Sequence, residues 1–190
     1  STAGAWLAQQ GIDTLICEKE QFPRFHIGES LLPNGNQVLR EIGVWEKVQA
    51  AGFVKKFGAE FTVPDRSQTV NNVFRHGLVK GREQTFQVER ARFDELLLDH
   101  AAASGCHVRQ RVAVKQAKRH GDRWEVAVED LRAGQSRLVS ARWIVDASGR
   151  ACVMGRTLGI KKETIPYPGR FAVFNHFHGV PRAEGEEGGN

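Results

Sequence analysis

Phe22-Pro23-Arg24-Phe25-His26-Ile27-Gly28-Glu29-Ser30-Leu31-Leu32-Pro33 is the stretch on which the reading of this chain turns. It begins four residues after Glu18, which closes the short apolar run Thr14-Leu15-Ile16-Cys17. Upstream, residues 1–10 carry Ala3, Gly4, Ala5 and Ala8, small side chains that let a helix lie close to a sheet. Gly11 suits that helix's C-cap, so a helix and then a strand from Ile12 to Glu18 follow each other as in a βαβ unit. A carboxylate at the carboxyl end of such a strand can accept the hydroxyls of a ribose. The plainer alternative is a surface glutamate, because Glu18-Lys19-Glu20 is a charged cluster.

Past the stretch, Pro33 and Asn34 open a helix through Val38, Leu39 and Ile42 that Gly43 closes, and a second short helix runs from Val44 to Ala51. Residues 58–88 read as a small antiparallel β insertion outside the nucleotide-binding core. Its extended runs lie around Phe61, around Val70 to Phe74, and over Thr85 to Val88. Phe93, Leu96, Leu97 and Ala101 fall at helical spacing, which predicts a helix from Arg90 to Ser104 ended by Gly105, with a core strand at Cys106 to Val108. Extended segments at 111–119, 123–130 and 136–145, joined by His120-Gly121-Asp122 and Leu131–Gln135, predict a three-stranded meander. It would return to a parallel sheet through Trp143-Ile144-Val145-Asp146. Phe171 to His178 alternates like a strand, and the glycine- and glutamate-rich Glu184–Asn190 reads as a loop tip. The fold class expected is α/β: a doubly wound parallel sheet with the meander and part of a β-rich substrate domain. The nucleotide-binding domain would comprise 1–56 and 87–150, and the partial substrate domain 57–86 and 151–190.

Several side chains suit a phosphate-bearing ligand. Arg24 can neutralise a phosphate or stack on a base, Gly28 permits close backbone approach, and Ser30 can donate to a phosphate or ribityl oxygen. Glu29 completes the turn Gly28-Glu29-Ser30, while His26 reads as a hydrogen-bonded loop histidine. Gln87 and Arg90 open the long helix, either as cofactor contacts or as an exposed first turn; Asp94 there favours the helix dipole whatever its role. Asp146-Ala147-Ser148-Gly149-Arg150 follows an apolar strand end. Asp146 would stand at a strand's carboxyl edge, with the small residues up to Gly149 letting amides face phosphate oxygens. Lys55 and Lys56 are either solvated or place one ammonium at the ligand. His176 and His178 share a face, but no third ligand is near, so no metal is expected.

The chain has 190 residues, is 41% hydrophobic and carries a net charge of +5, ample for a packed core. It holds no run long enough for a membrane span and three scattered cysteines, Cys17, Cys106 and Cys152, which suit a reducing cytoplasm. The basic cluster Arg109, Arg111, Lys115, Lys118 and Arg119 admits a nucleic-acid-binding reading. Without interleaved aromatics it reads rather as a solvated strand face, and no nucleic-acid or membrane partner is expected.

Three blocks, Glu18–Pro33, Gln87–Leu97 and Asp146–Arg150, stand in this order with a β insertion between the first two. Together they resemble the flavin-dependent halogenase family, itself similar to aromatic hydroxylases and geranylgeranyl reductases. The resemblance implies FAD as cofactor, held by Glu18, Arg24, Gly28, Glu29, Ser30, Gln87, Arg90, Asp146 and Gly149. It implies that reduced FAD and oxygen turn halide into hypohalous acid, which a tunnel leads to a lysine facing an electron-rich aromatic carbon. Lys56 is the nearest match to that lysine. The form Gly-Glu-Ser-Leu-Leu-Pro departs from the Gly-Glu-Ala-Thr-Ile-Pro of free-tryptophan halogenases and looks more like enzymes of phenolic or carrier-tethered substrates. A separate flavin reductase is the implied partner. Aromatic hydroxylation and double-bond reduction stay open as alternative reactions. The family's glycine-rich loop would end just before Ser1 and its Trp-x-Trp-x-Ile-Pro segment would fall beyond Asn190. The chain is therefore read as a fragment, expected to bind FAD weakly or not at all by itself.

Overall fold

A computed structural model describes residues 1–63, 65, 67–161, 163 and 173–189. They fall into two compact units: Ser1–Ile16 with Phe22–Val108 and His178–Asn190, and Cys17–Gln21 with Arg109–Phe177. The chain order is α1 (Thr2–Gln9), β1 (Leu15–Glu18), α2 (Pro33–Glu41), α3 (Trp45–Ala50), β2 (Val54–Lys56), β3 (Gly58–Thr62) and β4 (Thr69–Val73). A 3-10 turn at Phe74–His76 follows, then β5 (Thr85–Gln87), α4 (Arg90–Ala103), β6 (His107–Gln110), β7 (Val112–His120), β8 (Arg123–Asp130), β9 (Gln135–Ala141) and α5 (Val153–Thr157). The mixture of helices and strands is the α/β class read from the sequence. Strand β1 pairs with β6, β2 with β5, β3 with β4, and β7-β8-β9 form a meander.

In the first unit α1 packs on α4, and Gly4 lets it also lie close against Ile16 of β1 and Cys106. A Cβ there would lie 2.6 Å from Ile16 Cδ1 and 3.2 Å from Cys106 Sγ. Strand β1 starts at Leu15 rather than Ile12 because the Ile12 N–H still donates to Leu7 O at 3.1 Å, prolonging the helix end. Pro33 opens α2, where a missing N–H is harmless. The apolar faces of α2, α3 and α4 then meet through Leu39, Ile42, Val44, Trp45, Val48, Phe93, Leu97 and Ala101. Phe86 and Val88 enter the same core, with the Phe86 ring 5.6 Å from Trp45. Burying either side chain is worth about 1.5–3 kcal/mol.

This corrects the expectation for residues 58–88. Only β3 and β4 form the antiparallel hairpin, with Phe61 opposite Val70. The third run is a core strand instead, since β5 pairs antiparallel with β2, Lys56 facing Thr85 and Val54 facing Gln87. The glycine-rich tail is likewise no free loop tip. Gly185–Gly189 form a 3-10 turn in which Gly189 is buried, its carbonyl accepting from Gln87 Nε2 at 3.2 Å.

In the second unit the meander is antiparallel throughout, with an irregularity between Val114 and Gln116 that leaves Lys115 out of register. Ala117, Val126 and Val128 form its core, flanked by Cys17, Val112, Val114, Val139, Ile144 and Met154 of α5. Two lysines of the basic cluster face carboxylates across the ladder, Lys118 opposite Glu125 and Lys115 Nζ 2.5 Å from Glu129 Oε2, while Arg119 stands opposite Trp124. Residues 143–146 do not return to a parallel sheet. Among the described residues no strand pairs with them, and Trp143 remains 87% exposed. A strand needs a neighbour to take its amides, and an apolar run alone does not supply one. For the same reason 173–177 form no strand, while Phe171 and Ala172 lie outside the described residues. No helix among the described residues is long and apolar enough to cross a membrane.

Candidate functional site

Seven of the ten residues singled out in the sequence belong to the first unit and gather around β5. The loop Glu29–Leu31 is stitched to β5 as an edge strand. Val88 N–H donates to Glu29 O at 2.8 Å, Leu31 N–H to Phe86 O at 3.1 Å, and Ser30 stands opposite Gln87 in an isolated antiparallel bridge. Strand β2 lines the other edge. Side chains alternate along strands, so Ser30, Gln87, Thr85 and Lys56 share one face of this ribbon. The Lys56 stem crosses that face, and its Nζ donates to Ser30 Oγ, reaches Leu31 O at 3.5 Å, and lies 5.3 Å from the Phe74 ring centroid. Lys56 is 2% exposed while Lys55 is solvated. Burial pushes the Lys56 ammonium below its ordinary pKa, and among the described residues no carboxylate offsets this.

The strand paired with that of Lys56 is pegged to α2. Thr85 Oγ1 donates to Asn36 Oδ1 at 2.9 Å in a buried bond, and Asn36 Nδ2 donates to Gln84 O at 2.6 Å in a part-buried one. Phe74 N–H closes the base of the β3–β4 hairpin on Phe57 O at 2.8 Å, which holds the aromatic ring at the ammonium.

Arg90 grips Asp94 one helical turn on with two hydrogen bonds of 2.8 and 2.9 Å, and its Nη1 donates to Ile27 O at 2.9 Å. Arg24 Nη1 lies 3.5 Å from the same carboxylate, and its guanidinium stands 4.7 Å from the Phe22 ring centroid. Arg90 and Arg24 therefore clamp the motif loop onto α4 through Asp94. Gly28 has φ +115, and an added Cβ would sit 2.9 Å from Arg90 Nη1, so the loop backbone needs glycine here. Gly28 N–H donates to Glu29 Oε2 at 3.0 Å. Gln87, expected at the ligand, has its amide on the Gly189 carbonyl.

Glu18, Asp146 and Gly149 belong to the second unit. Among the described residues both carboxylates bond within their own turns. Glu18 Oε1 accepts from Glu20 N–H at 2.8 Å; Asp146 accepts from Ser148 N–H at 2.9 Å and from Met154 N–H at 2.8 Å. Asp146 thus organises the turn into α5. A hydrogen bond from Ser148, chiefly, and the amides of Ser148 and Met154 hold its carboxyl below the usual range. Gly149 has φ +58, and residues 147–150 are exposed. A half-buried carboxylate at a strand's end and an exposed small-residue turn match the hydroxyl and phosphate chemistry of a dinucleotide. His176 and His178 are exposed, and among the described residues no cluster of three or more His, Cys, Asp or Glu side chains could hold a metal.

Sequence reasoning missed Asn36, Thr85, Phe74 and the Asp94 clamp. Only the last left a signal, the i, i+4 spacing of Arg90 and Asp94.

Residues 1–183 match the FAD binding domain family. The chain is 36% identical over 198 residues to the 1H-pyrrole-2-carbonyl-[peptidyl-carrier protein] chlorinase of Pseudomonas fluorescens, covering 96% of this chain and 44% of that protein. It is 33% identical to the corresponding brominase of Pseudoalteromonas luteoviolacea, covering 96% and 43%. It therefore spans less than half the length of these curated relatives. A flavoprotein/dehydrogenase from Cytophaga hutchinsonii superposes with a TM-score of 0.79 at 38% identity, over 86% of this chain and 40% of that one. The myxobacterial chondrochloren halogenase superposes at 0.71 and 34% identity, over 78% and 34%.

Proposed function

Because the chain belongs to the FAD binding domain family, and within it to the flavin-dependent halogenases, we propose that its protein halogenates electron-rich aromatic rings, phenolic or carrier-tethered. When bound, reduced FAD supplies two electrons that, with O2, halide and a proton, give hypohalous acid and water. The aromatic carbon then takes the halogen and releases its proton, and the hypohalite oxygen leaves as water. Lys56 presents the acid to the ring, in a pocket whose main tasks are positioning and exclusion of bulk water.

One observation carries this reading. An ammonium that sequence would leave in solvent is buried and held by Ser30 Oγ and the Phe74 ring. Glu18 accepts the ribose hydroxyls and the backbone around Gly149 faces the phosphates, while the Arg24–Asp94–Arg90 clamp with Gly28 and Glu29 shapes the cofactor loop. The FAD-binding domain comprises residues 1–56 and 87–150 together with the core strand residues Thr85 and Phe86, and the rest of 57–86 with 151–190 begins the substrate domain. The carrier-linked pyrroles named for both relatives support a carrier-borne substrate, and a separate reductase supplies reduced flavin.

The intact protein, given a flavin reductase, halide, oxygen and either a free phenol or a carrier-bound pyrrole, should yield halogenated product. The absence of halogen in any product would end this reading. Hydroxylated product instead would favour a second one, an FAD-dependent oxidoreductase without halide chemistry, for which the dehydrogenase-named structural neighbour speaks.

A further inference from the structure

We propose that Ser30 is the positioning residue for Lys56, keeping its Nζ in place whether that nitrogen is an ammonium or a free amine. This deepens the halogenase reading and rests on it.

A nitrogen that presents hypohalous acid to the ring gives a proton to the departing oxygen, which leaves as water, and regains one from the aromatic carbon, so its neighbours must tolerate both forms. Leu31 O only accepts, and at 3.5 Å it binds weakly; the Phe74 ring favours the cation. A serine hydroxyl both accepts and donates, so Ser30 Oγ can take an N–H from the ammonium and return its own O–H to the amine lone pair. The scaffold makes the contact durable. Ser30 is paired to one edge of β5 and Lys56 to the other, so both ends of the contact are referenced to one three-residue strand. That strand is itself pegged by the buried Thr85–Asn36 bond. Two strand spacings, about 9–10 Å, separate the two backbones, a gap that a lysine stem closes and that leaves little slack.

In this arrangement the serine of Gly28-Glu29-Ser30 serves the transfer step rather than the cofactor. An alanine at position 30 would leave Nζ with the ring and one distant carbonyl.

The test uses the intact enzyme with Ser30→Ala and Ser30→Thr. The first readout is the share of hypohalous acid captured by the aromatic substrate against the share intercepted by a soluble trap. Losing one hydrogen bond to a charged group should lower that ratio about tenfold in Ser30→Ala, and Ser30→Thr should restore most of it. The second readout needs no turnover: the pH dependence of Lys56 acylation, followed by peptide mass spectrometry. In Ser30→Ala its midpoint should move to lower pH, because the ammonium loses its best acceptor. An unchanged acylation profile together with an unchanged capture ratio would overturn the proposal. So would loss of FAD binding in Ser30→Ala with an unchanged acylation profile, which would return the serine to the cofactor. If the wild type makes no hypohalous acid, the halogenase reading fails, yet the acylation profile still reports on the Ser30–Lys56 contact.

Discussion

Replacing Asn36 by Ala should loosen the strand on which Lys56 is aligned far more than the loss of one surface amide would suggest. Asn36 is 4% exposed and Thr85 fully buried, so water cannot replace the bond between them. The change orphans the Thr85 hydroxyl, 2.9 Å from Asn36 Oδ1, and the Gln84 carbonyl, 2.6 Å from Asn36 Nδ2. The buried Thr85 hydroxyl costs about 1–3 kcal/mol when left unsatisfied and the part-buried Gln84 carbonyl less, giving about 2 kcal/mol in all. Thr85→Val removes one donor and leaves the Asn36 oxygen unpaired, about 1.5 kcal/mol. Once either partner is gone the other has less to lose, so the double variant should fall short of the summed effects by about 1 kcal/mol. Hydrogen exchange at the Phe86 and Val88 amides, in the intact protein, reads the local opening free energy directly. Effects that add to within about 0.3 kcal/mol would refute the argument, because they would mean the two side chains do not share a bond.

Three further outcomes are expected. Gly28→Ala should destabilise the motif loop by about 1–2 kcal/mol, since φ +115 and the clash with Arg90 both resist a Cβ, and proteolysis between Phe22 and Pro33 should quicken. Lys56→Met should abolish halogen transfer while flattening an alkaline rise in stability. The folded Lys56 pKa lies below its ordinary 10.5, so the unfolded chain binds more protons between those two values and stability climbs with pH across that window in the wild type. Asp146→Asn should weaken the turn into α5 by about 1 kcal/mol, because an amide nitrogen cannot accept from Met154 N–H. Asp146's depressed pKa stabilises the fold above about 3.9 and that gain is lost as pH falls through the folded value, so the variant's acid-unfolding limb should lack this contribution.

What could be read from the chain beforehand follows a physical pattern. Helices α2, α3 and α4 and the meander declare themselves because one face of each is apolar at the period of its own backbone. Residues 143–146 mislead because apolar alternation reports burial potential, whereas a strand also requires a neighbour. Lys56 was legible only through family resemblance. Nothing local separates it from Lys55, and it is the pairing with Thr85 that turns one lysine inward. Arg24, Gly28, Ser30, Gln87 and Arg90 were found as a group by motif, but what each side chain touches was not legible. Polar groups look alike toward a ligand and toward a neighbouring carbonyl, and only the fold decides between Asp94, Gly189 and Lys56 as partner.

The pairing of β2 with β5 also carries a lesson for anyone transplanting this segment. Lys55 and Lys56 are chemically identical, so a one-residue frame error in β2 would still deliver an ammonium opposite Thr85, now that of Lys55, while the rest of the strand is displaced by about 3.3 Å against its partners. Such a misregistered graft would keep its charge, its composition and much of its burial, and composition-based screening would pass it. The Phe74 N–H to Phe57 O bond just past Lys56 is therefore the feature to carry along with the lysine, because a shifted frame would break it.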